Sequence, residues 1–169
     1  MTHAAATRTL ILLRHAKSAY PDGVGDHERP LAPRGIREGA LAGDWIRANV
    51  AAVDAVLCST ATRTRQTLAR TGIGAPVQYL DRLYDATAGI AIDVINKHGG
   101  NAQTLLLVGH EPVMSSLALG LAGPGSSEAA VDQIDVKYPT SAIAVLRPTA
   151  TWDQLELRGA SLMAFHVPR

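Results

Sequence analysis

Two short apolar runs, residues 8–13 and Thr104–Val108 (TLLLV), each lead straight into a pair that ends in histidine: Arg14-His15 and Gly109-His110. Runs of this length with no water-facing position suit strands buried on both faces of a sheet. Parallel strands of that kind need helical crossovers, and the intervening chain supplies them. Residues 33–50 predict a helix, with Pro33 in its first turn and Ile36, Ala40, Gly43, Ile46 and Val50 on one face. Asp54–Cys58 (DAVLC) predicts a second strand, after which Ser59 or Thr60 can cap a helix that runs to about Thr71 and stops at Gly72. Residues 77–80 predict a strand and 88–98 a helix ended by Gly99-Gly100; Pro112 opens a further helix that ends near Gly120.

A Gly/Ser-rich break at 123–127 marks a change of character. Residues 141–147, 152–158 and 161–166 predict three strands joined by turns at Pro148 and Gly159. Their spacing allows hairpins but no crossovers, so they should run antiparallel. The expected fold class is therefore α/β. It is a single domain over residues 1–169 with an open mixed sheet, mostly parallel with antiparallel C-terminal strands and helices on both faces. Residues 1–7 are expected to form a flexible tail.

Composition narrows the function. Of 169 residues, 47% are apolar but only 4% aromatic, so the core must rest on Ala, Leu, Ile and Val. A net charge of +1 argues against a general nucleic-acid-binding surface while leaving room for a local basic pocket. The single cysteine, Cys58, excludes an internal disulfide framework and fits a reducing compartment. No apolar run approaches the roughly 18 residues that a membrane span requires, and the N-terminus lacks a secretory pattern. The expectation is a cytoplasmic protein with neither membrane nor nucleic acid as partner.

In open α/β sheets, ligands gather outside the carboxyl ends of the strands. Here those ends carry Arg14-His15, Ser59 with Arg63 in the next helical turn, and Gly109-His110. The long stretch from His15 to Pro33 has no clear period, as expected of a lid or binding surface. Two histidines, two arginines and two helix N-termini thus converge on one sheet edge, an arrangement suited to phosphate. Cys58 does not fit a cysteine phosphatase, because neither Arg63 nor Arg65 lies at Cys-x5-Arg spacing. The histidines also lack zinc-ligand spacing. His3, His98 and His166 are expected to be bystanders, His27 solvent-exposed, and Arg34, Arg37, Arg65 and Arg70 helix-surface charges.

Taken in order, Arg14-His15-Ala16, Pro30-Leu31 with Gly35, Arg63 after Ser59, and Gly109-His110 resemble the histidine phosphatase superfamily. The phrases RHAKS, DHERPLAPRG, RTRQT, LLLVGHEP and YPTSAIAVL are similar to its SixA-type phosphohistidine phosphatases. The resemblance runs from about residue 8 to residue 166 and implies a phosphoglycerate mutase-like fold. It also implies His15 as the phosphorylated nucleophile, with Arg14, Arg63 and His110 holding the phosphoryl oxygens. Arg29 would be the extra arginine of SixA-type pockets, while Lys17 and Ser59 are further substrate-binding candidates. Neither a metal nor a cofactor is implied. Two positions depart from the family pattern: Thr60, where Pro often follows the serine, and Glu111, where Asn or Gly is usual.

A general acid is the missing part. Superfamily members that cleave phosphomonoesters usually protonate the leaving alkoxide with a carboxylate. The candidates are Asp85, Glu111 and Asp81, none in a recognisable acid motif. An imidazole leaving group, with a pKa of about 6.5, needs far less protonation than an alkoxide. The expected activity is therefore removal of phosphate from phosphohistidine on a signalling or phosphotransfer protein. The alternatives are a phosphomonoesterase for small phosphorylated molecules and a phosphate-binding module without turnover.

Overall fold

The structure, a computed structural model, describes residues 7–169. The expected tail over 1–7, with His3, lies outside the described residues except for Thr7, which is exposed and belongs to no element. Six strands form one sheet: β1 (Thr9–Arg14), β2 (Ala55–Ser59), β3 (Val77–Leu80), β4 (Thr104–Gly109), β5 (Ile143–Pro148) and β6 (Ala160–His166). Their order is β3-β2-β4-β1-β5-β6. The first four run parallel, whereas β5 is antiparallel to β1 and β6 to β5. This is the phosphoglycerate mutase-like arrangement that the sequence led us to expect.

Side-chain alternation along the central strands divides the core in two. Leu10, Leu12, Leu57, Leu105 and Leu107 face one layer, which is covered by α3 (Ala88–His98), α4 (Val113–Leu121) and α5 (Glu128–Val136). Ile11, Leu13, Val56, Cys58, Leu106 and Val108 face the other, beneath α1 (Pro33–Asn49) and α2 (Thr62–Thr71). Every residue of β4 is buried, which explains why its sequence shows no polar alternation. Among the described residues no helix is long and apolar enough to cross a membrane.

Three local expectations are corrected. Residues 152–158 are not a strand. Trp152–Gln154 is a 3-10 turn whose fully buried indole donates from Nε1 to the Ala102 carbonyl (2.7 Å), while Asn96 Nδ2 donates to the carbonyls of Trp152 (2.7 Å) and Leu155 (3.1 Å). Trp152 and Leu155 go inward and Leu157 is 62% exposed, so the spacing is that of a plug beneath α3 and not of a pleat. Helix α5 was not foreseen, although Ser127 caps it by accepting the Ala130 amide and Ala130 and Ile134 share its buried side. In α1 the buried side is displaced from the predicted face. Ile36 and Ala40 are exposed, and Gly35, Gly39 and Gly43 turn inward with Ala42 and Ile46. A Cβ on Gly43 would collide with the Thr71 carbonyl and one on Gly35 with the Lys17 carbonyl, so the glycines let backbone meet backbone.

The long loop after β1 is not structureless. An isolated bridge pairs Ser18 with Leu31, and the Lys17 carbonyl accepts the Ala32 amide at 2.9 Å, closing its base. A short 3-10 turn, Asp26–Glu28, forms its tip.

Candidate active site

The register of the two central strands assembles the site. Arg14 of β1 stands opposite Gly109 of β4, so the next residues on each strand, His15 and His110, emerge together. The His15 amide donates to the Gly109 carbonyl at 2.9 Å, and the two imidazole rings are 5.4 Å apart at their centroids, tilted by 53°. Both histidines are buried, each 7% exposed.

The hydrogen bonds dictate what each ring can do. His15 Nδ1 lies 2.8 Å from the Ala16 carbonyl, which can only accept. Nδ1 therefore carries the proton of the neutral ring, and Nε2 carries the lone pair. Burial pushes the His15 pKa down to about 3, with the Ala16 bond partly opposing and His110 and the arginines adding to the fall. The ring is thus neutral and nucleophilic at pH 7. His110 Nε2 lies 2.8 Å from Ser59 Oγ, and that oxygen already accepts the Ala61 amide at 3.3 Å. Ser59 is fully buried, and among the described residues its hydroxyl proton has no acceptor other than Nε2, which leaves the proton of neutral His110 on Nδ1 as a donor. Burial, then Arg63, depresses the His110 pKa to about 4.

Among the described residues, four buried side-chain polar atoms lack a hydrogen-bond partner: Arg14 Nε, Arg63 Nε, His110 Nδ1 and Ser141 Oγ. Buried donors are nearly always satisfied, so such a cluster calls for a missing acceptor. The remaining bonds of the arginines hold them in place. Arg14 Nη1 donates to the Tyr138 carbonyl at 2.8 Å, and Tyr138, itself buried, donates its hydroxyl to the Leu12 carbonyl at 2.6 Å. Arg63, 6% exposed at the start of α2, sends Nη1 to the Asp26 carbonyl (2.7 Å) and Nη2 to Asp26 Oδ2 (3.1 Å). Ser141, at φ 66°, donates its amide to the carbonyls of Arg14 and His15 (3.2 and 3.1 Å). Two guanidinium edges and one imidazole N–H are therefore left without an acceptor, and Arg14 and Arg63 both act electrostatically on His15 and His110.

A family model for the histidine phosphatase superfamily (branch 1) matches residues 10–91. A structure described as that of a candidate phosphohistidine phosphatase SixA from Nakamurella multipartitia is 39% identical, covers 97% of this chain and 98% of its own, and superposes with a TM-score of 0.87. This chain belongs to the histidine phosphatase superfamily. A second candidate SixA structure, from Agrobacterium tumefaciens, is 28% identical over 95% of this chain and 99% of its own, with a TM-score of 0.78. An uncharacterized protein of Mycobacterium tuberculosis is 61% identical over 158 residues, spanning 93% of this chain and 100% of the relative.

In this histidine phosphatase the remaining sequence candidates have separate fates. Arg29 reaches the site mouth, where Nε donates to Asp26 Oδ1 (3.0 Å), Nη1 donates to Ser18 Oγ (2.8 Å), and the guanidinium lies over the Tyr20 ring at 4.0 Å. Ser59 works through His110. Lys17 is exposed, and the fold uses its main-chain carbonyl. Glu111 is committed to α4: its carboxylate accepts the Ser115 amide at 2.7 Å and the Ser115 hydroxyl at 2.8 Å. Of the two helix N-termini expected to face the phosphate, the one on α4 is thus already engaged by Glu111, whereas α2 has no side-chain cap. Asp85 is exposed and carries a positive φ of 57°. Asp81 accepts a bond from Thr60 Oγ1 at 2.6 Å, and Thr60 Oγ1 lies 2.9 Å from His27 Nε2. His27 is consequently part of the rim and not free in solvent as expected. Cys58 is buried and its thiol is pushed up to about 12 by burial, which rules it out as a thiolate nucleophile. Among the described residues no group of three His, Cys, Asp or Glu side chains could hold a metal ion.

Sequence reasoning missed two residues. Asp26 binds Arg29 and Arg63, and the Tyr84 hydroxyl donates to the same carboxylate. Tyr84 also sets its ring edge-on to both His27 (4.9 Å) and His110 (5.5 Å). Asp26 sits three residues before Arg29, a spacing that could have signalled the pair; at Tyr84 the sequence pointed to the neighbouring carboxylates Asp81 and Asp85 instead of the phenol between them.

Proposed function

We propose that this phosphatase works through a phosphorylated His15 and that its substrate is phosphohistidine on a protein. The observation that carries the reading is the set of unpartnered donors, Arg14 Nε, Arg63 Nε and His110 Nδ1, around a histidine whose Nε2 is unprotonated. A phosphoryl group supplies the missing acceptors. Nε2 of His15 attacks phosphorus in line; the P–N bond to the substrate imidazole breaks, and that ring leaves with a proton from solvent. The positive charge gained by the His15 ring is met by the Nδ1–H bond to the Ala16 carbonyl, while the arginines hold the equatorial oxygens. Water then attacks the phosphorylated His15 to release orthophosphate and restore the ring.

The choice of leaving group follows from the carboxylates. Glu111 is spent on α4, Asp85 is exposed, and Asp81 is held at the rim by Thr60. A site without a poised acid favours imidazole over an alkoxide. Incubation with a phosphorylated histidine phosphotransfer domain should release phosphate, and enzyme quenched during turnover should carry acid-labile, base-stable phosphate on His15. His15→Ala should fold normally and be inactive. Label on His110, or none in repeated trapping, would overturn the assignment.

A further inference from the structure

Asp26 places a carboxylate against the arginines of the site. It anchors three donors from separate parts of the chain: Arg63 through Nη2 (3.1 Å), Arg29 through Nε (3.0 Å) and the Tyr84 hydroxyl. Its own side chain is 56% exposed, whereas those of Arg29 and Arg63 are 12% and 7% exposed. The carboxylate therefore stands on the open side of the two guanidinium groups. The Tyr84 hydroxyl, with Arg29 and Arg63, holds it far below the usual carboxylate range.

Charge accounting gives this contact a consequence. Arg14, Arg29 and Arg63 bring three positive charges, and Asp26 cancels one of them. His110 is neutral when the site is empty. Glu111, which acts electrostatically on Arg14, trims the surplus further. Of the other nearby cations, Lys17 is exposed and Arg65 lies over the Tyr79 ring at 4.1 Å while donating to the Thr60 carbonyl. A phosphoryl dianion consumes the whole surplus. A second anionic group attached to the same small molecule would find Arg29 already paired and would meet the Asp26 carboxylate at close range, where like charges repel strongly.

We propose that Asp26 is a specificity-determining residue that turns away small phosphorylated molecules bearing a second negative group and keeps the site for a phosphoryl group on an uncharged or cationic carrier such as imidazole. This rests on the phosphatase reading above and narrows its substrate class. Selection of this kind works by penalising the wrong ligand.

The test compares two probes, orthophosphate and 2-phosphoglycolate, titrated calorimetrically into wild type, Asp26→Asn and Asp26→Ala. Wild type should bind phosphoglycolate no more tightly than orthophosphate. In both variants the affinity for phosphoglycolate should rise at least about tenfold more than that for orthophosphate, a difference of about 1.4 kcal/mol. An unchanged ratio in the variants would overturn the proposal, because removing a distant charge would strengthen both probes alike. Wild-type selectivity decides the matter even if a variant misfolds: a tenfold preference for phosphoglycolate would itself refute Asp26 as a filter. Failure of wild type to bind orthophosphate at all would sink the phosphatase reading, and the filter with it. Intact orthophosphate binding with an unmoved ratio would sink the filter alone.

Discussion

Ser59 Oγ and His110 Nε2 lie 2.8 Å apart, and this contact assigns the proton on the far side of the His110 ring. Ser59 ends β2 and His110 follows β4; Cys58 stands opposite Val108 in the ladder between them. The pair is thus a product of strand register, and it leaves Nδ1–H as an unpartnered donor in the site.

Ser59→Ala should release the His110 ring without removing it. We expect kcat on a phosphohistidine substrate to fall about fivefold to tenfold with KM little changed, in keeping with loss of one hydrogen bond of about 1 kcal/mol. Ser59→Thr, which keeps the hydroxyl, should recover most of the rate. Side-chain 15N spectra should show mixed His110 tautomers in the Ala variant and one in wild type. An unshifted tautomer with unchanged kcat would refute the positioning role.

The carboxylate candidates separate in the same way. Glu111→Gln should cost about 0.5–2 kcal/mol of stability, since it weakens the cap on α4. It should not produce the roughly 10²–10⁴-fold loss of a true general acid. Asp85→Asn and Asp81→Asn should barely slow phosphohistidine hydrolysis. On aryl and alkyl phosphates the wild type should show a steep dependence on leaving-group pKa. A flat dependence that any of the three substitutions makes steep would identify the acid and move the substrate toward phosphate esters.

Acid should destabilise the empty enzyme in a defined window. His15 and His110 titrate near 3 and 4 in the fold against 6.5 when unfolded, and burial lowers both. Between these values the unfolded chain binds protons that the native chain refuses. The stabilising contribution is therefore complete above about pH 6.5, declines as pH falls below it, and is fully lost once pH has passed through the folded values. Urea midpoints measured from pH 7.5 to 4.5 should drop, and His110→Asn should flatten the profile. A midpoint independent of pH over that range, equal in both proteins, would contradict the burial argument.

Metal should be dispensable. On the proposed reading Arg14 and Arg63 neutralise the phosphoryl charge that a divalent ion would otherwise meet. Treatment with EDTA should leave phosphate release unchanged within assay error. A large loss restored by Mg²⁺, Mn²⁺ or Zn²⁺ would show that the arginines do not carry the charge.

Legibility in the sequence followed the range of the interactions. Runs such as Thr104–Val108 announce a doubly buried strand because every position is apolar. Pro33 and Gly72 mark helix ends because their backbone preferences are local. Residues 152–158 misled because apolar residues spaced for a plug, Trp152 and Leu155, are interleaved with polar ones that mimic a pleat. The buried face of α1 was misplaced because its inward side is made of glycines, which pattern matching does not count as core.

The sequence by itself determined the α/β class, the strand ends that carry Arg14, His15, Ser59 and His110, and membership of a phosphatase superfamily, since each is written in short local runs and in their order along the chain. Only the tertiary structure decided that β4 inserts beside β1 so that two histidines 95 positions apart come within 5.4 Å. It alone decided that Ala16 and Ser59 select their tautomers, that Glu111 caps a helix, and that Asp26 meets Tyr84 across 58 residues. The physical reason is common to all of these. A proton's position and a carboxylate's partner depend on atoms within about 3 Å, and the chain brings those atoms together only when the sheet has closed its register.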